Sequence, residues 1–311
     1  MSCMIEKTGF SEINQERLGY TGDGFWYCEV AVTGACNFSC KYCNRLNSEI
    51  DLQETCDFIE KYAYSLKHVQ ITGGEPTLYA HIRELCARIK SRGLKVGLST
   101  NGSADLSLYR VLDIDMFSIS LDDYDYDVLV SRGYKHVDRV VSNIVKLSNL
   151  GYYVNVGLVV DSLNVSRVSK IIRYILDLGV NDIKLSVSTK DEVTPVFPES
   201  EDYSAYPILN YRVGRFRQGK SMRGLSNTDT FKCSLSRSDI SIVGRDHYPC
   251  LVYAREGGRP IGPLSSDVKG ARLNWVEGHS PKDDPICQRY CMDFKCAYNR
   301  AADHIKTQET V

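Results

Sequence analysis

Between residues 26 and 188 the chain alternates short β-rich runs with stretches of helical period, the signature of parallel βα units. Strand-like runs fall at 26–33, 68–72, 94–100, 116–121, 153–160 and 183–188, which predicts six such units. Between them, Val137, Val140, Val141, Ile144 and Val145 share one helical face, as do Val165, Val168, Ile172, Ile175 and Leu176. Gly93, Gly151 and Gly179 each follow a helical run and precede a strand, where a left-handed residue ends a helix without a Cβ penalty. No short motif recurs at a fixed period, so the units build one sheet or barrel rather than a solenoid.

The pattern breaks near residues 190–202, where two prolines and five acidic residues interrupt the apolar periodicity. This predicts an N-terminal extension at 1–24, an α/β core at 25–190, a linker at 191–202 and a smaller module at 203–311. The last residues, 305–311, read as a frayed end. The second module has little periodicity but holds five cysteines, so a metal is expected to supply stability that a small core lacks.

Charge and cysteine content narrow the function. Thirty-eight Lys and Arg against thirty-nine Asp and Glu give a net charge of −1, which excludes a whole-chain field for nucleic acid or an anionic membrane. No stretch approaches the roughly 18 apolar residues of a spanning helix, and the N-terminus has no continuous apolar run of the secretory kind. A soluble, cytoplasmic protein without a membrane partner is expected. Twelve cysteines among 311 residues then need a reason other than disulfides, and metal is the first to test.

The strongest signal is Cys36, Cys40 and Cys43, a C-x3-C-x2-C run directly after the first strand. Three thiolates on one short loop can hold three irons of a 4Fe-4S cluster and leave the fourth open to a small molecule. The competing readings are a zinc knuckle, which ordinarily takes four ligands, or three unrelated thiols. Cys3, Cys28, Cys56 and Cys86 read as buried or incidental thiols.

At Cys36-Asn37-Phe38-Ser39-Cys40-Lys41-Tyr42-Cys43 the sequence resembles the radical S-adenosylmethionine superfamily, whose hallmark is C-x3-C-x-Φ-C with an aromatic before the last cysteine. The resemblance implies a partial (βα)6 TIM-like barrel over residues 25–190 with a smaller cysteine-rich α+β extension. Gly73-Gly74-Glu75-Pro76-Thr77 matches the GGEP motif, whose backbone and Glu receive the methionyl amino group of S-adenosylmethionine. Ser99 and Asn101 at the end of the third strand, and Ser120 and Asp122 at the end of the fourth, inherit by position the family's contacts to the cofactor's carboxylate and ribose. Arg132 stands where the molybdenum-cofactor and peptide-maturing branch often has an arginine facing the cofactor. Read alone, these residues are also ordinary turn, helix-cap and surface types.

Beyond the core, Cys233 and Cys250 flank a strand-turn pattern at 240–244, and Cys287, Cys291 and Cys296 follow. This looks like a shortened SPASM or twitch extension, which binds an auxiliary 4Fe-4S cluster. The C-x3-C-x4-C spacing departs from the usual one, so which four of the five bind stays open, and zinc is the alternative metal. Residues 203–228 contain no acid but carry Arg212, Arg215, Arg217, Lys220 and Arg223. The first three are candidate anchors for a substrate phosphate or carboxylate, against the reading of a solvated helix face.

The resemblance implies reductive cleavage of S-adenosylmethionine to a 5′-deoxyadenosyl radical, fed by a donor such as flavodoxin or ferredoxin, and hydrogen abstraction from a substrate. A small molecule, nucleotide or nucleobase is the first expectation. A ribosomal peptide is the second, weakened because the residues before the first strand are too few for a leader-binding domain. An iron-sulfur or zinc scaffold without catalysis is the third.

Overall fold

The computed structural model describes residues 23–309, with side chains through residue 303. Cys3 and most of the expected N-terminal extension lie outside the described residues, as do the side chains of the expected frayed end. The first half runs β1 (Tyr27–Ala31), α1 (Leu52–Lys61), β2 (His68–Thr72), α2 (Ile82–Ser91), β3 (Lys95–Thr100), α3 (Leu106–Val111), β4 (Met116–Ser120), α4 (Tyr126–Ser131), α5 (Val137–Asn149), β5 (Tyr153–Val160), α6 (Val168–Asp177) and β6 (Asp182–Val187). All six expected strands are present and pair in parallel, in the order β6-β5-β4-β3-β2-β1. This is the open arc of a partial barrel. Gly93, Gly151 and Gly179 have φ of +72°, +83° and +81°, so each ends its helix as the sequence suggests.

Strand alternation separates two chemistries. Cys28, Val30, Val69, Ile71, Val96, Leu98, Phe117, Ile119, Val156 and Leu185 are fully buried beneath the helices, in one continuous core with Ile59, Leu85, Val140, Ile144 and Ile172. The intervening positions, among them Glu29, Gln70, Ser99, Ser118, Ser120 and Lys184, point to the other face and line a polar lumen.

The C-terminal segment continues with α7 (Pro207–Arg217), α8 (Leu235–Ser238), β7 (Asp239–Val243), β8 (Asp246–Tyr248), α9 (Leu251–Arg255), β9 (Gly262–Pro263), α10 (Val268–Gly278), α11 (Pro285–Tyr290) and α12 (Asp293–Glu309). It does not form a separate sheet. β7 pairs in parallel with the free edge of β1, and β8 and β9 follow antiparallel, so one nine-stranded sheet spans both parts. Buried Asp182 at the start of β6 accepts from Ile208 N at 2.8 Å and Leu209 N at 3.0 Å, capping α7 across the expected linker. Among the described residues, no helix is long and apolar enough to cross a membrane.

Candidate active site

The three-cysteine loop leaves the end of β1 and is fixed at several points. Phe38 is buried against Tyr134, with ring centroids 5.1 Å apart, and Ser39 N donates to Gly133 O at 3.1 Å. Asn37 Nδ2 donates to Ser103 Oγ at 2.8 Å, and Asn101 Nδ2 donates to Asn37 Oδ1 at 2.7 Å, tying the loop to the end of β3. Close backbone passages explain the glycines here. A Cβ on Gly74 would meet Ala35 O at 2.3 Å, and one on Gly133, at φ +96°, would meet Ser39 O at 2.3 Å.

Cys36 and Cys40 are half-buried, Cys43 is exposed, and all three are free thiols. Burial, with Asp122 nearby, pushes the Cys40 thiol up to about 12, so a thiolate there needs a cation such as cluster iron to hold it. Thiols ligating one tetrahedral zinc at about 2.3 Å would crowd within roughly 4 Å of each other. Among the described residues, the group whose donor atoms converge within 4.8 Å is His279, Asp284 and Cys287, elsewhere in the chain. The three loop thiols are therefore not gathered as one zinc ion would gather them, whereas a 4Fe-4S cluster takes each cysteine on a separate iron.

At the strand ends the structure gives the expected cofactor residues distinct jobs. Glu75 is fully buried and accepts from Thr77 N (3.1 Å), Thr77 Oγ1 (2.7 Å), Thr100 Oγ1 (2.7 Å) and Asn101 N (2.6 Å). Burial pushes its carboxyl pKa up while these donors oppose the rise. Its carboxylate therefore joins the ends of β2 and β3 through the chain's own donors. Gly73, with φ +153°, and Gly74 pass against the backbone of 33–35, and Pro76 opens the short turn that follows. Ser99 Oγ accepts from Gln70 Nε2 at 3.0 Å, and Ser120 is half-buried on the lumen face.

Asp122 and Arg132 form a buried network. Arg132, 1% exposed, pairs with Asp122 at 3.2 Å and with Asp161, and donates to Val159 O at 3.0 Å. Tyr42 donates to Asp122 and lies under the Arg132 guanidinium, 5.0 Å from ring centroid to cation. The residue before the third cysteine is thereby anchored to the end of β4. Asp161 was not singled out by sequence, although an acid directly after a strand is the signal that would have found it.

The C-terminal thiols converge. Cys287 is pushed up by burial and then by Cys233, Asp284, Cys291 and Cys250, and Cys233 by burial and by Cys291 and Cys250. Cys296 is buried and hydrogen-bonded to Cys291, whose thiol it raises first, ahead of burial, and Gly224 O lies 3.9 Å from the Cys296 sulfur. His279 Nε2 lies 3.5 Å from Cys287 Sγ, whereas Asp284 caps α11 through Ile286 N and Cys287 N and accepts from Tyr253 OH. All five are free thiols, a donor set that suits iron and sulfide.

The basic stretch is engaged within the protein. Arg212, 4% exposed, and Arg215 reach Asp293 at 3.8 Å and 3.4 Å, and Arg217 donates to the carbonyls of Pro198 and Glu201. The stretch carries no acid of its own, so Arg212 and Arg215 take their counter-charge from α12, about eighty residues on, and Arg217 takes Glu199 of the expected linker at 4.0 Å, which the composition of the stretch cannot reveal. Lys184 faces the lumen, and Lys295 and Arg255 are near enough to act on it. Lys184 is accessible to solvent yet surrounded by protein, so desolvation pulls its ammonium pKa down, Glu29 opposes, and Arg212, Lys295 and Arg255 add to the fall. Arg223 is lowered by burial, Glu256 opposes, and Arg255 adds to the fall. Lys295 is raised, because Cys250, Glu29, Cys291 and Cys233 outweigh its burial. Sequence reasoning missed Lys184, although a lysine between Ile183 and Leu185 in an otherwise apolar run marks a lumen position.

The family model described as the radical SAM superfamily matches residues 30–189. Over 281 residues the chain is 28% identical to a protein of Pyrococcus abyssi named "Probable GTP 3′,8-cyclase", covering 78% of this chain and 90% of that one. A protein of the same name from Pyrococcus horikoshii is 33% identical over 144 residues, 42% of this chain and 46% of its own length. Among solved structures, SuiB of Streptococcus suis bound to S-adenosylmethionine has a TM-score of 0.59 at 15% identity, over 85% of this chain and 67% of that one. anSMEcpe with bound AdoMet has a TM-score of 0.59 at 14% identity, over 91% and 97%. At such identities these two likenesses concern the fold.

Proposed function

Because the chain belongs to the radical SAM superfamily, we propose that it is a nucleotide-modifying member whose anionic substrate sits in the barrel lumen, between the Cys36, Cys40 and Cys43 loop and a second cluster on the C-terminal segment. It is an enzyme that uses a 4Fe-4S cluster and S-adenosylmethionine and needs an external electron donor, for which a flavodoxin or ferredoxin is the natural class. When bound, cluster and cofactor together supply a 5′-deoxyadenosyl radical that takes a hydrogen atom from the substrate.

The observation that carries the substrate reading is the cation set of the lumen. Arg255 lowers both Lys184 and Arg223, with Glu256 opposing at Arg223, and Arg212 and Lys295 add to the load on Lys184. A phosphate placed among them relieves that repulsion and the desolvation together. Glu29 leaves one acceptor on the same face for a donor on the base or sugar. The name of the Pyrococcus abyssi relative agrees with this chemistry and makes GTP the first substrate to try.

The chain's own residues do the positioning. Cys36, Cys40 and Cys43 hold the first cluster, and the Tyr42–Asp122–Arg132 network keeps their loop in place. The backbone at Gly73 and Gly74 and the polar groups of Ser99, Asn101 and Ser120 border the place for S-adenosylmethionine. Cys233, Cys250, Cys287 and Cys291 hold the second cluster, since Cys287 feels the other three thiols of this set and Cys233 feels Cys291 and Cys250, with Cys296 hydrogen-bonded to Cys291. The test is deuterium transfer into 5′-deoxyadenosine from ribose-deuterated GTP by anaerobically reconstituted protein, with Lys184→Met as the comparison. Label transfer that falls in the variant at low GTP, and recovers as GTP is raised, supports the proposal. Label drawn only from a neutral compound or a peptide, with the variant unaffected, overturns it.

A further inference from the structure

Arg272, on α10, is fully buried, and its surroundings set it apart from the other buried arginines. Arg132 is met by Asp122 and Asp161, and Arg212 by Asp293. Arg272 has no such answer: among the described residues no carboxylate lies within ion-pair distance of it. Its donors go to neutral acceptors, namely the carbonyls of Ser236 (2.8 Å), Tyr248 (2.8 Å), Pro249 (3.5 Å) and Asp239, with His247 Nδ1 at 3.3 Å. A desolvated cation without a counter-ion is unfavourable, so its retention asks for an anion that the polypeptide alone does not provide.

The surroundings say where that anion would be. Burial pulls the guanidinium down from 12.5 to about 10, and the groups that oppose the fall are three thiols, Cys233, Cys250 and Cys28. Cys28 is sealed in the core and held neutral, with its thiol pushed far up. Cys233 and Cys250 are the pair proposed above as cluster ligands. The accepting carbonyls are placed to match. Ser236 and Asp239 follow Cys233 within six residues, and Tyr248 and Pro249 immediately precede Cys250.

We infer that Arg272 is the fixed counter-charge of the second cluster: its fork clamps the two chain segments that present Cys233 and Cys250, and its positive charge stands behind their sulfurs. The inference rests on the second-cluster reading. A cation held there stabilises the more negative, reduced cluster, so it sets the potential as well as the geometry. Arg272 is thus a positioning residue that acts through two ligands.

The full chain, reconstituted anaerobically with iron and sulfide, tests this through iron and sulfide counts and dithionite titrations of each cluster followed by electron paramagnetic resonance. In Arg272→Met the second cluster should be about tenfold harder to reduce, about 59 mV lower for one electron, with the first cluster unmoved. Arg272→Lys, which keeps the charge but not the fork, should restore most of that shift. Where Arg272→Met loses the second cluster, its retention in Arg272→Lys supports the role of charge, and loss in both overturns it. An Arg272→Met protein with both clusters and an unshifted second potential also overturns the inference. Wild-type protein with one cluster's worth of iron and zinc on the C-terminal thiols removes the second-cluster reading itself, an outcome seen before any variant is compared.

Discussion

Replacing Glu75 with Gln separates two roles for the second strand's carboxylate. Oε1 takes three donors, from Thr77 N, Thr77 Oγ1 and Thr100 Oγ1, and Oε2 takes Asn101 N at 2.6 Å. A glutamine can keep the three-donor side on its oxygen, but its NH2 then faces the Asn101 N–H, donor against donor. The loss is one charge-assisted hydrogen bond, about 1.5–3 kcal/mol, with a buried N–H left unmet at about 1–3 kcal/mol, partly the same energy counted twice. A net cost of about 3 kcal/mol follows, or a fall in Tm of roughly 6–12 °C for a cooperative unit of about 150–250 residues. Scanning calorimetry of the reconstituted protein reads the stability, and equilibrium dialysis reads S-adenosylmethionine binding. Because the carboxylate is engaged by the chain, binding measured well below the variant's Tm should weaken only modestly. A Glu75→Gln protein as stable as wild type that no longer binds S-adenosylmethionine would refute this reasoning and return the carboxylate to direct contact with the cofactor.

Three further outcomes follow from the same geometry. In Gly133→Ala a left-handed residue gains a Cβ that would lie 2.3 Å from Ser39 O, so iron analysis should show loss of the first cluster with the other retained. Full iron content would show that the loop can shift to make room. Arg212→Met leaves Asp293 with Arg215 and Tyr211 still answering it, so losing this buried arginine should cost about 1–3 kcal/mol in urea unfolding; a neutral result would mean that the pair contributes nothing. His247 is buried beside Arg272, and burial chiefly pulls its pKa from 6.5 to about 3. Between those values the unfolded chain binds a proton that the folded chain refuses, so stability falls as pH falls, by up to about 1.4 kcal/mol per unit. The urea midpoint of His247→Gln should depend less on pH between about 7 and 5 than that of wild type, and equal slopes would count against a neutral, buried imidazole.

The βα pattern was legible in the sequence because each unit is local: strands of period two, helices of period near 3.6, and glycines at the helix ends are all set by neighbours a few residues away. The same holds for Cys36, Cys40 and Cys43, whose spacing alone puts three thiols on one loop. Tertiary structure decided whatever depends on partners distant in sequence. β7 could join β1 because its hydrogen-bonding edge fits any parallel neighbour, so no residue in 239–243 reveals whether it pairs there or within its own module. The arginines of α7 read as free cations until Asp293 is placed against them, and Lys184 reads as one more charge until strand alternation turns it into the lumen. Asp122, Arg132 and Glu75 were found by position, yet what they touch came from burial, which removes water and leaves each charge to the nearest protein group that can answer it. Arg272 carried no sequence signal at all, since only the folded interior strips a surface-type residue of solvent and shows which charge it lacks.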